Sequence, residues 1–251
     1  MAVELKEEEL KRYSRHLLLP GFGREGQIRL GRASVLVAGT GVQGGAAALY
    51  LAAAGVGRLG IWEPETADDP DLDPAARADL GWGTSLKERL QALNPAVQVD
   101  VYPPGGDEGT VPCLREWLLP YDMIAGCVRS PRVRYRLVQL AVEMRKTLVQ
   151  AAVWGWEGQM AATVPGRGPC WHCLVPFPRD RERAGAASGL EGPVAGAMGI
   201  LQATELIKMT VGIGQPQVGS SVYFDGYTGR FQLIGFAADP ACPVCSGQKG
   251  E

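Results

Sequence analysis

No stretch of the 251-residue sequence runs to about 18 apolar residues without interruption, so none has the length of a membrane-spanning helix. An excess of positive charge is missing too. The formal net charge of −2 gives no electrostatic reason to expect nucleic acid or an anionic membrane surface as a partner, since either needs a basic face. The first residues, MAVELKEEELKRYSRH, are charged where a signal peptide would be apolar, and the protein is therefore expected in the cytoplasm. Histidine is scarce: there are two, His16 and His172, which leaves few candidates for imidazole chemistry. What remains, 46% hydrophobic and 21% charged residues, is the composition of a globular protein long enough for one large α/β domain or two small ones.

Cysteine is present but patterned. Of six cysteines, four form two tight pairs, Cys170/Cys173 in PCWHC and Cys242/Cys245 in ACPVC, with 68 residues between the pairs. In a chain without a signal peptide this spacing favours a metal over disulfides. Four thiolates complete a tetrahedron, the closed coordination of structural zinc, which would tie a crossover loop to the C-terminal segment and leave no open position for catalysis. His172, between two of these ligands, reads as a surface residue. Cys113 and Cys127 read as buried small hydrophobes rather than nucleophiles.

Residues 5–17 read as an amphipathic helix of mixed charge, and Pro20, Gly21 and Gly23 mark a turn after it. Residues 1–31 are thus expected to form an N-terminal helical arm, and 32–251 a single domain. Strand and helix patterns alternate through SVLVAG (34–39), a helix from Gln43, RLGIWE (58–63), a helix over 85–93, VQVDVY (97–102), YDMIAG (121–126), a helix over 132–144 and TLVQAAV (147–153). Such alternation predicts parallel βαβ units in an α/β, Rossmann-like doubly wound sheet. From Gly155 the texture changes. A long apolar helix over 194–211 precedes VYFDGYTGRFQLIGF, a hairpin turning at GYTG, and these later strands are expected to extend the sheet in antiparallel fashion.

Gly39, Gly41 and Gly44 match G-x-G-x-x-G directly after a strand and at the opening of a helix, the context that gives the pattern weight. Glycines there permit a tight turn and close backbone approach to a phosphate, whose charge the helix N-terminus stabilises. Glu63 ends the second strand, where an acid can bind ribose hydroxyls. The same glycines would also serve simply to pack the helix on the sheet. A nicotinamide dehydrogenase is the default meaning of the fingerprint, yet neither His16 nor His172 is a promising hydride-transfer acid.

Further motifs coincide in order from Arg12 to Cys245: RYSRHLLLPGFGREGQIRL, GTGVQGG with AAAGVGRLGIWE, RLQALNP, Arg134-Tyr135, EGQ, PCWHCL, GILQATELIK, YFDGYTGRF and CPVC. Together they resemble the ThiF/MoeB/HesA family of ubiquitin-activating-like adenylyltransferases. The resemblance implies a homodimer with a structural zinc, using ATP and magnesium to adenylate the C-terminal carboxylate of a small β-grasp sulfur-carrier or ubiquitin-like protein. It also implies that the glycine loop faces ATP, that Glu63 lies near the ribose in place of the family's usual aspartate, and that Arg15 reaches the phosphates of the partner subunit's nucleotide.

Three residues that the family supplies are not found. The place of its loop arginine falls at Pro74, at the end of ETADDPDLDP and directly after a run of six acids and no base from Glu63 to Asp73. The place of its lysine falls near Trp82, and that of its magnesium-binding aspartate falls on Arg129 in RSPRVRY. A guanidinium cannot ligate magnesium. Lys87 or Arg77 would have to take over a cationic role in a rearranged site. Gly185 and Gly229 occupy the places of two frequent family cysteines, so covalent sulfur chemistry is not expected. Two readings stay open: an adenylating enzyme with a rearranged site, and a catalytically degenerate member that binds nucleotide or protein.

Overall fold

The computed structural model describes residues 5–64, 82–105, 110–177 and 192–247. Strand β1 (Ser34–Ala38) is buried at every position because it lies mid-sheet with helices on both faces. Its side chains alternate, so Val35 and Val37 enter one core and Leu36 and Ala38 the other. β1 pairs in parallel with β2 (Arg58–Trp62) on one side and β4 (Met123–Gly126) on the other. β3 (Gln98–Val101) adds to β2, and β5 (Thr147–Trp154) adds to β4, both in parallel. Beyond β5 the direction reverses. β6 (Glu157–Thr163), β7 (Ser220–Asp225) and β8 (Arg230–Gly235) are antiparallel, giving one eight-stranded sheet of order β3-β2-β1-β4-β5-β6-β7-β8.

Helices α1 (Glu7–Arg12), α2 (Ser14–Leu17) and α3 (Gly23–Arg32) precede β1. Helices α4 (Val42–Ala54), α5 (Trp82–Leu93), α6 (Thr110–Leu118) and α7 (Pro131–Glu143) follow β1 to β4 in turn, and α8 (Trp171–Leu174) and α9 (Gly192–Val211) belong to the antiparallel half. One face of the sheet is covered through Leu30 of α3, Leu51 of α4, Leu90 of α5 and Leu206 of α9. Leu118 of α6, Leu137 of α7 and Trp171 of α8 cover the other. The glycines and alanines of α4 and α9 let these two helices approach closely: a β-carbon on Gly199 would stand 2.0 Å from the Gln43 carbonyl oxygen.

Three expectations change. The helix over 5–17 is two helices, broken at Tyr13, whose buried ring is drawn inward so that its hydroxyl accepts a 2.8 Å bond from Asn94 Nδ2. The residues after the arm's turn form α3, and Phe22 and Leu30 are part of the main core. Helix α6, between β3 and β4, has no counterpart in the sequence reading, and Cys113 upon it is exposed rather than buried; Cys127 is buried as expected. No helix of the described residues is long and apolar enough to cross a membrane.

Candidate nucleotide site and metal centre

The order of the sheet reverses between β1 and β4, and at such a switch point the connections after the two strands diverge and leave a crevice. The glycine loop enters it. Gly39, at φ +93°, occupies backbone space open only to glycine, and its N–H donates to the Trp62 carbonyl at 2.8 Å. Gly41 is the N-cap of α4, and Gly45 N bonds Gly41 O at 2.7 Å to close the first turn. Gly44 lies against the loop itself, since a β-carbon there would come within 1.8 Å of Gly39 O. All three predicted glycines therefore meet at the mouth of a 13-residue helix. Its first-turn N–H groups lack partners within the helix and suit an anion, so the residues fit a phosphate.

Glu63, just past β2, reaches the same loop. Its Oε2 accepts from Thr40 N at 2.7 Å and from Thr40 Oγ1 at 2.5 Å, and Thr40 is fully buried. The acid thus braces the loop as well as standing at its edge. Below it Trp62 is buried, with Nε1 donating to Gly105 O at 3.1 Å. On the other wall, Arg129 lies three residues past the end of β4 and precedes Ser130, the N-cap of α7. Buried Arg134 holds this turn by donating to Val128 O at 2.9 Å and Arg129 O at 3.1 Å. A guanidinium donates hydrogen bonds and cannot ligate a divalent cation, so Arg129 itself does not fit magnesium. Arg15 is exposed on α2. The acidic run from Glu65 to Asp73, Pro74, Arg77 and the segment around Gly185 lie outside the described residues.

The four paired cysteines converge. Their Sγ atoms all lie within 4.8 Å of one another, with Cys170–Cys242 at 3.7 Å, Cys173–Cys245 at 3.5 Å and Cys170–Cys173 at 4.0 Å. A tetrahedral centre with metal–sulfur bonds of about 2.3 Å has sulfur–sulfur edges of about 3.8 Å, so the cluster fits such an ion. Burial pushes the Cys170 thiol well up and that of Cys245 to about 11. A cation held among the four sulfurs would favour their deprotonated form. His172 is not at the surface: it is buried, its ring lies 5.4 Å from that of Tyr135, and its Nδ1 is 3.6 Å from Cys242 Sγ. The environment, created by packing of α7 on α8, is invisible in local sequence.

With this geometry in view, the likeness to known proteins is specific. The ThiF family profile matches residues 13–244. The chain belongs to the ThiF family. It is 37% identical to the sulfur carrier protein adenylyltransferase of Thermus thermophilus over 96% of this chain and 92% of that protein. It is likewise 37% identical to the mouse adenylyltransferase and sulfurtransferase MOCS3, over 97% of this chain; it spans about half of that longer protein, 54%. In fold it resembles Escherichia coli MccB, solved with ATP, at TM-score 0.76 and 16% identity over 96% of this chain and 75% of that one. SeMet PaaA aligns at TM-score 0.74 and 16% identity, over 94% and 85%. Within the ThiF frame, sequence reasoning missed one group of residues. Buried Gln150 and Gln202 and half-buried Gln43 form an amide network linking α4, β4, β5 and α9, and a lone glutamine in an apolar helix carries no signal of such a role.

Proposed function

We propose that this ThiF-family protein binds ATP in the crevice between β1 and β4 and adenylates the C-terminal carboxylate of a small β-grasp sulfur-carrier or ubiquitin-like protein. The observation that carries the proposal is the junction of Gly39, Gly41 and Gly44 with Glu63 at the switch point. The names of its relatives supply the substrate class. In this reaction a carboxylate oxygen attacks the α-phosphorus, the bond from that phosphorus to the bridging oxygen breaks, and pyrophosphate leaves. The α4 amides stabilise phosphate charge, Glu63 orients the ribose, and Arg134 holds the turn that forms the opposite wall. The cysteine cluster holds zinc as a structural ion.

The reading includes a homodimer in which Arg15 of one protomer approaches the nucleotide of its partner. Leu18 and Leu19, adjoining Arg15, are 83% and 50% exposed, the kind of apolar surface that a second copy covers. Light scattering should give twice the 26.8 kDa chain mass. Leu18→Glu should shift the protein toward monomer.

The sequence resemblance supports a second reading, in which the protein binds nucleotide or a partner without adenylation, because it sets Arg129 at the place of the family's metal-binding aspartate. ATP–pyrophosphate exchange with β-grasp carriers separates the two. Each missing electrostatic group costs about 10²-fold or more in rate, so a degenerate site gives ATP binding with negligible exchange, and Arg129→Asp alone does not restore it. A rearranged site gives wild-type exchange that Arg129→Ala weakens. Robust exchange indifferent to Arg129→Ala would mean that Arg129 stands outside the reacting centre.

A further inference from the structure

Gln202 sits on α9 with no exposed surface. Its Nε2 donates to Gly126 O and to Val149 O, both at 2.9 Å, and its Oε1 accepts from Gln43 Nε2 at 2.7 Å and from Cys127 Sγ at 3.3 Å. A primary amide offers two hydrogens and two lone pairs, so every bond it can make is made. The partners lie in the first turn of α4, at and just past the end of β4, and in β5. From the opposite face, fully buried Gln150 donates to the same Gly126 carbonyl at 2.9 Å and to Ala151 O at 2.8 Å.

A methionine or leucine would fill this volume at a lower desolvation cost, so the amide contributes direction more than adhesion. We infer that Gln202 is a positioning residue for nucleotide binding. It locks the first turn of α4, where the glycine-loop amides converge, to the strand end that leads into Cys127, Val128 and Arg129. The two walls of the crevice thereby keep one spacing. The inference rests on the nucleotide site proposed above.

The test is Gln202→Met, which keeps the length of the side chain and removes its four bonds. Calorimetry with ATP should show Kd raised about tenfold or more, the equivalent of losing one or two well-placed buried bonds. Amide hydrogen exchange over residues 39–47 should accelerate by a similar factor. Leu206→Ala, one turn along the same helix in the core, lowers the melting temperature at least as much but leaves Kd within about twofold if position 202 acts through geometry rather than bulk stability. Gln43→Met should reproduce the rise, and the double variant should add little to either. An unchanged Kd and unchanged exchange in folded Gln202→Met would overturn the inference, as would an equal rise in Leu206→Ala. Should Gln202→Met fail to fold, Gln43→Met carries both measurements. Wild-type protein that binds no ATP sinks the proposed function instead, and the exchange rates then decide the role of Gln202.

Discussion

Gly39 and Cys127 meet backbone to backbone: a β-carbon on Gly39 would stand 2.4 Å from the Cys127 carbonyl oxygen. The glycine loop is therefore a mould with no slack, and its neighbours in sequence should differ sharply in tolerance. At Gly44 a methyl group would sit 1.8 Å from Gly39 O, which is backbone and has nowhere to go. Gly44→Ala should cost about 3 kcal/mol or more in denaturant unfolding and abolish ATP binding. At Gly45 the nearest atom is Thr40 O at 3.6 Å, an ordinary contact within a helix. Gly45→Ala should stabilise by about 0.5–1 kcal/mol, and destabilisation there would show the loop geometry to be wrong.

Ligand analogues can separate the brace that Glu63 places on Thr40 from the ribose contact proposed for it. Glu63→Ala removes both, so Kd for ATP should rise by about tenfold. Wild type should prefer ATP over 2′,3′-dideoxy-ATP, whereas Glu63→Ala should bind the two alike. A variant that keeps the preference would relieve Glu63 of the ribose.

At the outer edge of the parallel half, Arg58 Nε bonds Asp100 Oδ2 at 2.6 Å, and the Tyr121 hydroxyl donates to the same oxygen at 3.0 Å. Burial raises the Asp100 pKa, but hydrogen bonds from Arg58, Gln98 and Tyr121 outweigh it and hold the carboxyl below its ordinary 3.8. A depressed folded pKa means stability that is present above pH 3.8 and is lost as pH falls from there through the folded value. Wild type should therefore lose stability over that acid window, and Asp100→Asn should lose less across it. Urea midpoints at pH 3 and pH 6 measure the difference; equal slopes in both proteins would remove Asp100 from the account.

Protein purified without added metal should carry about one equivalent of zinc per chain by elemental analysis, and Cys242→Ser should lose it together with several kcal/mol of stability. Less than about half an equivalent, with melting unaffected by a chelator, would leave the cluster as four reduced thiols.

The parallel half and the four-cysteine cluster were legible because their signals are local. Continuous burial wrote an apolar run into Val35–Ala38, the turn at Gly39 demanded glycine, and each cysteine pair carries its spacing in four residues. Helix α6 was not legible. It opens Thr110-Val-Pro, directly after a glycine- and proline-rich stretch, and its nine residues are too short to display a helical period beside that texture. The break at Tyr13 depends on Asn94, 81 residues away, and the burial of His172 depends on Tyr135 and Cys242. Gln202 looked like one polar residue on an apolar helix, because its four partners come from segments that only the folded sheet brings together.

A metal bound by the two cysteine pairs would also act on the chain when it is not folded. A metal held between Cys173 and Cys242 closes a loop of 68 intervening residues, and by the chain-entropy argument applied to covalent cross-links such a closure lowers the entropy of the unfolded ensemble by the equivalent of about 4 kcal/mol. Because closure entropy grows only logarithmically, doubling the loop changes that figure by about 0.6 kcal/mol. The crossover segment ahead of α9 is thus free to vary in length at little thermodynamic penalty, while the knot that encloses it stays equally tight.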